Sequence, residues 1–238
     1  MPETNQLIDR LPTAAARSLL AASRPIELEF GQAIAEAGAP IVQALFPTTA
    51  IISVMAEVGG HEPLEMSMIG HEGMLGASLA LGVDRHPMQA VVQGSGTALQ
   101  VSASRFHSLL ETSPALKSVI DGYLFVLAEQ LARNAACNAF HEVSARLARW
   151  LLTMDDRARG HPLMLTHLFL ANMLGVRRSA VTIAACKLQE KQFIRYARGR
   201  IQILSRTGLE SVACECYPAT LAAYQRQFGS ELQAIKEP

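Results

Sequence analysis

Residues Leu165–Leu204 read LTHLFLANMLGVRRSAVTIAACKLQEKQFIRYARGRIQIL. Thr166 is placed to N-cap a helix over His167–Leu174, because its hydroxyl can accept a free first-turn N–H. Gly175 then supplies a turn that closes that helix. Arg177–Lys191 predicts a second helix, with Val181, Ala184, Ala185 and Leu188 facing inward at helical spacing. Phe193–Tyr196 and Ile201–Leu204 flank Ala197-Arg198-Gly199-Arg200, a hairpin with Arg on both sides of the turn glycine. Thr207-Gly208-Leu209-Glu210 is a capping box that opens a further helix. Two short helices about a glycine turn, followed by a basic hairpin, form the pattern of a winged helix-turn-helix.

That pattern assigns roles. A second helix entering a major groove needs side chains that reach base edges and phosphates from its first turns. Arg177, Arg178, Ser179 and Thr182 stand there, with Lys187 farther along. Thr166 and His167, at the start of the first helix, join them as candidate DNA contacts. Arg198 and Arg200 on the wing would contact phosphates, adding affinity and salt dependence but little sequence information. A helical hairpin with a solvated basic face is the competing reading.

Charge supports the first. The 238-residue chain has net charge zero, but residues 142–206 carry 12 Lys/Arg and 4 Asp/Glu, a net of +8. Residues 1–141 carry −6 and residues 207–238 carry −2. A basic segment this concentrated is the electrostatic footprint of a polyanion-binding module. Half the residues are hydrophobic, enough to bury a core. No run of 18 or more apolar residues and no signal-peptide pattern occurs, so the expected location is cytoplasmic, without a membrane partner. Cys137, Cys186, Cys214 and Cys216 make no disulfide framework, and the Cys214-x-Cys216 spacing is poor for zinc. Reduced thiols are expected, with no metal site and no cofactor.

Upstream, to about residue 112, short strands alternate with glycine turns. Ile26–Phe30, Ala50–Val58, Leu64–Ile69, Gln89–Val92 and Ala98–Val101 read as strands, preceded by a helix over Leu11–Ala22. No helical pattern separates them, so an antiparallel roll or jelly roll is expected. Ser113-Pro114 starts a long helix. Ile120, Leu124, Leu127, Leu131, Asn134, Asn138 and His141 follow a 3.5-residue repeat along it, the pattern of a dimer seam. A lone amphipathic helix packed on the roll is the alternative. Val143, Leu147, Trp150, Leu151 and Met154 form the apolar stripe of the next helix, closed by Asp155–Gly160 and Pro162. The fold class is α+β: a sensing roll over 1–112, a dimerisation helix and hinge over 113–141, and a winged helix-turn-helix domain over 142–238.

The Leu165–Leu204 stretch resembles the C-terminal domain of the Crp/Fnr superfamily, with CNAFHEVSARLARWLL similar to that family's hinge and first DNA-domain helix. SASRFHSLLETSPAL is similar to its run from roll to dimer helix. The resemblance spans about residues 25–210. It implies a cyclic-nucleotide-binding-type roll, a parallel dimer helix, and a homodimer on a two-fold double-stranded DNA site, with RNA polymerase as a further partner. The departures matter. Gly73-Met74-Leu75-Gly76 puts Met74 where the family's cyclic-AMP binders carry Glu, and His86-Pro87 stands where they carry Arg-Ser, with Arg85 adjacent. Pro87 lacks the N–H an anion needs. The effector pocket is therefore expected around Gly73, Met74, Leu75, Gly76, Arg85 and His86, with cyclic AMP not its ligand and the effector unknown. On the family pattern, Ser179 and Ile183 replace a Glu and a second Arg of the base-reading helix. The operator read should differ accordingly. A module acting through protein partners is the alternative function. A cupin-like enzyme lacks its His-x-His, and no P-loop, nucleophile elbow or HExxH occurs, so no enzymatic activity is expected.

Overall fold

The structure is a computed structural model that describes residues 4–158, 163–197 and 199–229. The chain forms two compact units. One runs up to Met55 and includes Ser67–Ala128; the other comprises Ala56–Met66 and the chain from Glu129 onward.

The first unit begins with two helices, α1 (Gln6–Asp9) and α2 (Thr13–Ala22). Strands β1 (Arg24–Leu28), β2 (Ala33–Ala35), β3 (Gln43–Pro47), β4 (Ile51–Ala56), β5 (Leu64–Ile69), β6 (Gln89–Gly94) and β7 (Gly96–Ser102) follow. They make two sheets, ordered β1-β7-β3 and β2-β6-β4-β5. The pairings are antiparallel, with Ile26 opposite Ala98 and Val54 opposite Ala90. Leu28, Leu45, Ile52, Ile69, Leu75, Val92 and Ala98 share one core. This is the expected roll. β2 and β3 go beyond the predicted strands. β3 is an apolar run ending in Pro47, and it lacks the alternation that marks a half-buried strand. It lies at a sheet edge, where proline is tolerated. Its Phe46 meets Phe106 of α3 (Ala103–Thr112) edge-to-face, with ring centroids 6.0 Å apart. At the β6–β7 turn, a side chain on Gly96 would lie 2.5 Å from Thr49 Oγ1, so only glycine fits.

The long helix α4 (Pro114–Phe140) starts where Ser113-Pro114 predicts. Its buried stripe is Leu116, Ile120, Tyr123, Val126, Gln130, Asn134 and Cys137. The proposed seam is thus divided. Ile120 has no exposed surface within its own chain, and Asn134 Nδ2 donates to the Met66 carbonyl at 2.8 Å. Neither is available to a partner, because intrachain packing and hydrogen bonding occupy them. Leu124, Leu127 and Leu131 stay partly exposed.

In the second unit, α5 (Val143–Ala158) buries Leu147, Trp150, Leu151 and Met154. The predicted stop at Arg159, Gly160 and Pro162 lies outside the described residues. Next come β8 (Leu163–Met164), α6 (His167–Leu174), α7 (Arg178–Glu190), β9 (Ile194–Ala197), β10 (Arg200–Ile203), α8 (Arg206–Val212) and α9 (Cys216–Phe228). Leu170, Leu174, Val181, Ala184, Leu188, Ile194, Ile201 and Leu209 fill its core. β8 adds a third strand, giving the order β8-β10-β9. At two residues it is too short for a periodic signal.

Candidate nucleic-acid interface

Thr166 caps α6 as expected: its Oγ1 accepts from Phe169 N at 3.1 Å. Gly175 adopts φ +61, and a Cβ there would lie 2.8 Å from Leu64 Cδ1 of the β4–β5 hairpin. The left-handed backbone conformation favours glycine at this turn, and a Cβ there would push the end of the Leu64 side chain aside. The turn bends α6 against α7 by 108°. The inward face of α7 is as predicted, with Val181, Ala184, Ala185 and Leu188 all buried. Its outward face presents Arg178, Ser179, Ile183 and Lys187, with Arg177 just before the helix.

Two predicted contacts bond to one another. The Thr182 hydroxyl donates to the Arg178 carbonyl at 3.0 Å and lies 3.0 Å from His167 Nδ1. The His167 ring stacks on Tyr196 with centroids 4.3 Å apart and planes 18° from parallel. His167 therefore pins α6 to α7 and to β9. Burial, and then the Arg178 charge, hold its pKa below the ordinary value of 6.5.

The wing is the β9–β10 hairpin, with Gly199 at φ +76 in its turn. Arg200 is exposed; Arg198 lies outside the described residues. Arg195 and Lys191 are also exposed and were not among the predicted contacts. Strand alternation identifies Arg195, since Ile194 before it is buried. Of the cations in 142–206, Arg146 and Arg157 are buried, Arg149 Nη1 donates to Asn134 Oδ1, and Arg206 pairs with Asp155, Asp156 and Glu210. Among the described residues, Arg177, Arg178, Lys187, Lys191, Arg195 and Arg200 remain exposed, on or beside α7 and the wing.

The expected effector pocket is not one site. Leu75 and His86 line a cavity of about 220 Å³ with Ile34, Ala35, Pro40 and Gln43. Met74 is buried instead. Gly73 backs onto Tyr123 of α4, so closely that a Cβ would lie 2.5 Å from the phenol oxygen. The Tyr123 hydroxyl donates to the Met74 carbonyl at 3.3 Å. Gly76, at φ +88, faces the β3 backbone. Arg85 Nη1 donates to the Gly38 carbonyl at 2.8 Å. Glu72 accepts from the Gly70 N–H at 3.1 Å and so stabilises its own turn. Burial lowers the His86 pKa.

The cysteine expectation needs correction. Cys214 and Cys216 do have a Cys/His pair beside them: Cys137 and His141, from the end of α4. The pair is more than 70 residues away in sequence, so no local spacing reveals it.

Residues 145–212 match the Crp-like helix-turn-helix domain model. No curated protein sequence matches the chain. Among solved structures it is similar to the global regulator CLP of Xanthomonas campestris, with TM-score 0.65 and 19% identity over 81% of this chain and 99% of that one. FixK2 of Bradyrhizobium japonicum gives TM-score 0.69 and 13% identity, over 81% and 98%. A CRP/FNR-family transcriptional regulator of Thermus thermophilus gives 0.65 and 20%, over 80% and 98%. Among the described residues no single helix is long and apolar enough to cross a membrane. The chain thus has the fold of the Crp/Fnr transcriptional regulators, and its residues 145–212 are a Crp-like helix-turn-helix domain.

Proposed function

We propose that this protein is a homodimeric, sequence-specific DNA-binding regulator of transcription, with α7 in the major groove and the β9–β10 wing on the flanking phosphates. The observation that carries this reading is the gathering of six exposed cations on and beside α7 and the wing. Arg178 and Ser179 read base edges from the first turn of α7, and exposed Ile183 offers apolar contact to a thymine methyl. Arg177, Lys187, Lys191, Arg195 and Arg200 hold phosphates.

The dimer forms along α4. Leu124, Ala128, Leu131, Ala135 and Asn138 are exposed or half-buried and recur at spacings of 4, 3, 4 and 3. That keeps Leu124 and Leu131 from the expected seam and replaces Leu127 and Asn134 by the alanines one residue on. Small residues at such positions let two helices approach closely.

Residues 1–112 form the sensing domain, 113–141 the dimer helix and hinge, and 142–238 the DNA-binding domain. CLP is described as responsive to c-di-GMP. In this chain Tyr123 fills the space beside Gly73, and the Leu75–His86 cavity, at about 220 Å³, is below the range of ordinary ligand sites. The roll is a cyclic-nucleotide-type sensor that no longer takes a cyclic nucleotide, and RNA polymerase is the expected partner of the DNA-bound dimer.

The test is binding to random duplex DNA across a salt titration, followed by sequencing of a selected oligonucleotide pool. A steep loss of affinity with salt and a two-fold site with half-sites about 10 bp apart, or a multiple of that, are expected. Salt-independent or absent binding would refute the reading.

A further inference from the structure

Three cysteines and a histidine that the DNA-binding reading does not use converge at the end of α4. The ligand atoms of Cys137, His141, Cys214 and Cys216 all lie within 4.8 Å of one another. Cys137 Sγ is 3.6 Å from Cys214 Sγ, and Cys216 Sγ is 3.6 Å from His141 Nδ1. Around a tetrahedral zinc ion, with Zn–S about 2.3 Å, two sulfurs stand about 3.8 Å apart, and a sulfur–nitrogen pair slightly closer. We propose that Cys137, His141, Cys214 and Cys216 form a closed, tetrahedral Cys3His site for one Zn²⁺.

The surroundings fit an ion better than a set of core thiols. Cys137, Cys214 and Cys216 are all buried. His141 turns Nδ1 to the sulfurs, and its Nε2 lies 3.0 Å from Glu215 Oε1. A carboxylate on the outer nitrogen of a ligating imidazole fixes its tautomer and orientation. Zn²⁺ with three thiolates carries a net charge of −1, and the Arg149 and Arg146 charges act on the sulfurs and offset it. Soft thiolates with one imidazole in a tetrahedron select zinc. Four protein ligands leave no open position, so the site is structural and not catalytic.

Its place gives it a job. Cys137 and His141 lie just before the matched 145–212 segment, and Cys214 and Cys216 just after it. His141 is one turn from Cys137, with its N–H bonded to the Cys137 carbonyl at 3.1 Å. Cys214 and Cys216 sit at the junction of α8 and α9. The ion ties the end of the long helix to the α8–α9 junction, just after the matched segment. Binding releases the thiol protons to solvent, so metal uptake and folding of this junction are linked.

The experiment uses the full chain, reduced and stripped with a chelator, then titrated with Co²⁺. The expected result is uptake of about one Co²⁺ per chain, with the intense visible bands of a tetrahedral thiolate site, displaced stoichiometrically by Zn²⁺. Cys186→Ser, on α7, should titrate like the parent. Glu215 is largely exposed, so Glu215→Gln should fold and bind Zn²⁺ at least tenfold more weakly. Cys137→Ser should abolish the bands; if it fails to fold, the Glu215→Gln comparison stands alone. Absence of tetrahedral bands in the parent would overturn the site. So would freshly purified protein whose mass, short of two hydrogens, shows Cys137 and Cys214 joined as a disulfide.

Discussion

Thr182 Oγ1 stands 3.0 Å from His167 Nδ1, so the two side chains join α6 to α7. His167 is also stacked on Tyr196, and its pKa lies below 6.5 because burial, and then the Arg178 charge, penalise the imidazolium. A histidine whose folded pKa is depressed binds its proton more readily unfolded. Its stabilising contribution is complete above pH 6.5 and is lost as pH falls from 6.5 towards the folded pKa. Titrating the His167 ring by NMR should give a midpoint below 6.5, and His167→Gln should flatten the fall in Tm over the same window. A midpoint above 6.5 would contradict the arrangement.

Arg178 and Arg200 should fail differently. Arg178 is in the first turn of the recognition helix, and Arg200 is on the wing. Replacing Arg178 by Ala should cost about 1–3 kcal/mol on the preferred operator and much less on random DNA, relaxing specificity at one base position. Arg200→Ala should weaken both by similar factors and reduce the slope of log K against log salt by about 1. Equal losses on operator and random DNA for Arg178→Ala would remove it from base reading.

The α6–α7 helices and the wing were legible because each signal is local: a hydroxyl cap at Thr166, a glycine turn at 175, a helical apolar face on α7, and a hairpin about Gly199. Periodicity can say that Ile120 and Asn134 share a face with other apolar residues, but not whether that face meets the chain's own core or a second copy. The effector residues went astray for a similar reason: adjacency in sequence does not reveal that Tyr123, some 50 residues on, fills the space beside Gly73. The Cys/His cluster was invisible because more than 70 residues of sequence separate His141 from Cys214.

Arg206 anchors α8 to α5. Its Nη1 donates to Asp155 at 2.7 Å and its Nη2 to Asp156 at 2.5 Å, while the Tyr217 hydroxyl donates to Asp156 Oδ2 at 3.0 Å. The carboxylates hold the Arg206 pKa above its ordinary value even though burial works against it. Asp156 is almost completely buried, so removing it takes the carboxylate acceptor from the Tyr217 hydroxyl and leaves Arg206 with only the carboxylates of Asp155 and Glu210. Asp156→Ala should destabilise the DNA-binding domain by about 3 kcal/mol in chemical denaturation. A loss under about 1 kcal/mol would show the network to be surface-like in strength.

Ile120 and Leu131 separate folding from association. Ile120 is fully buried within its own chain, so Ile120→Ala should cost about 2–5 kcal/mol of stability, whatever the oligomeric state. Leu131 is only half-buried and lies on the face with Leu124, Ala128 and Ala135. A charge there opposes burial against a second helix but can be solvated in a monomer. Leu131→Asp should therefore leave the circular dichroism spectrum intact while shifting the protein from dimer to monomer in analytical ultracentrifugation. Operator affinity should fall at least tenfold, because a single half-site contact replaces two. A Leu131→Asp protein that sediments as a dimer and binds like the parent would place the interface elsewhere on the chain.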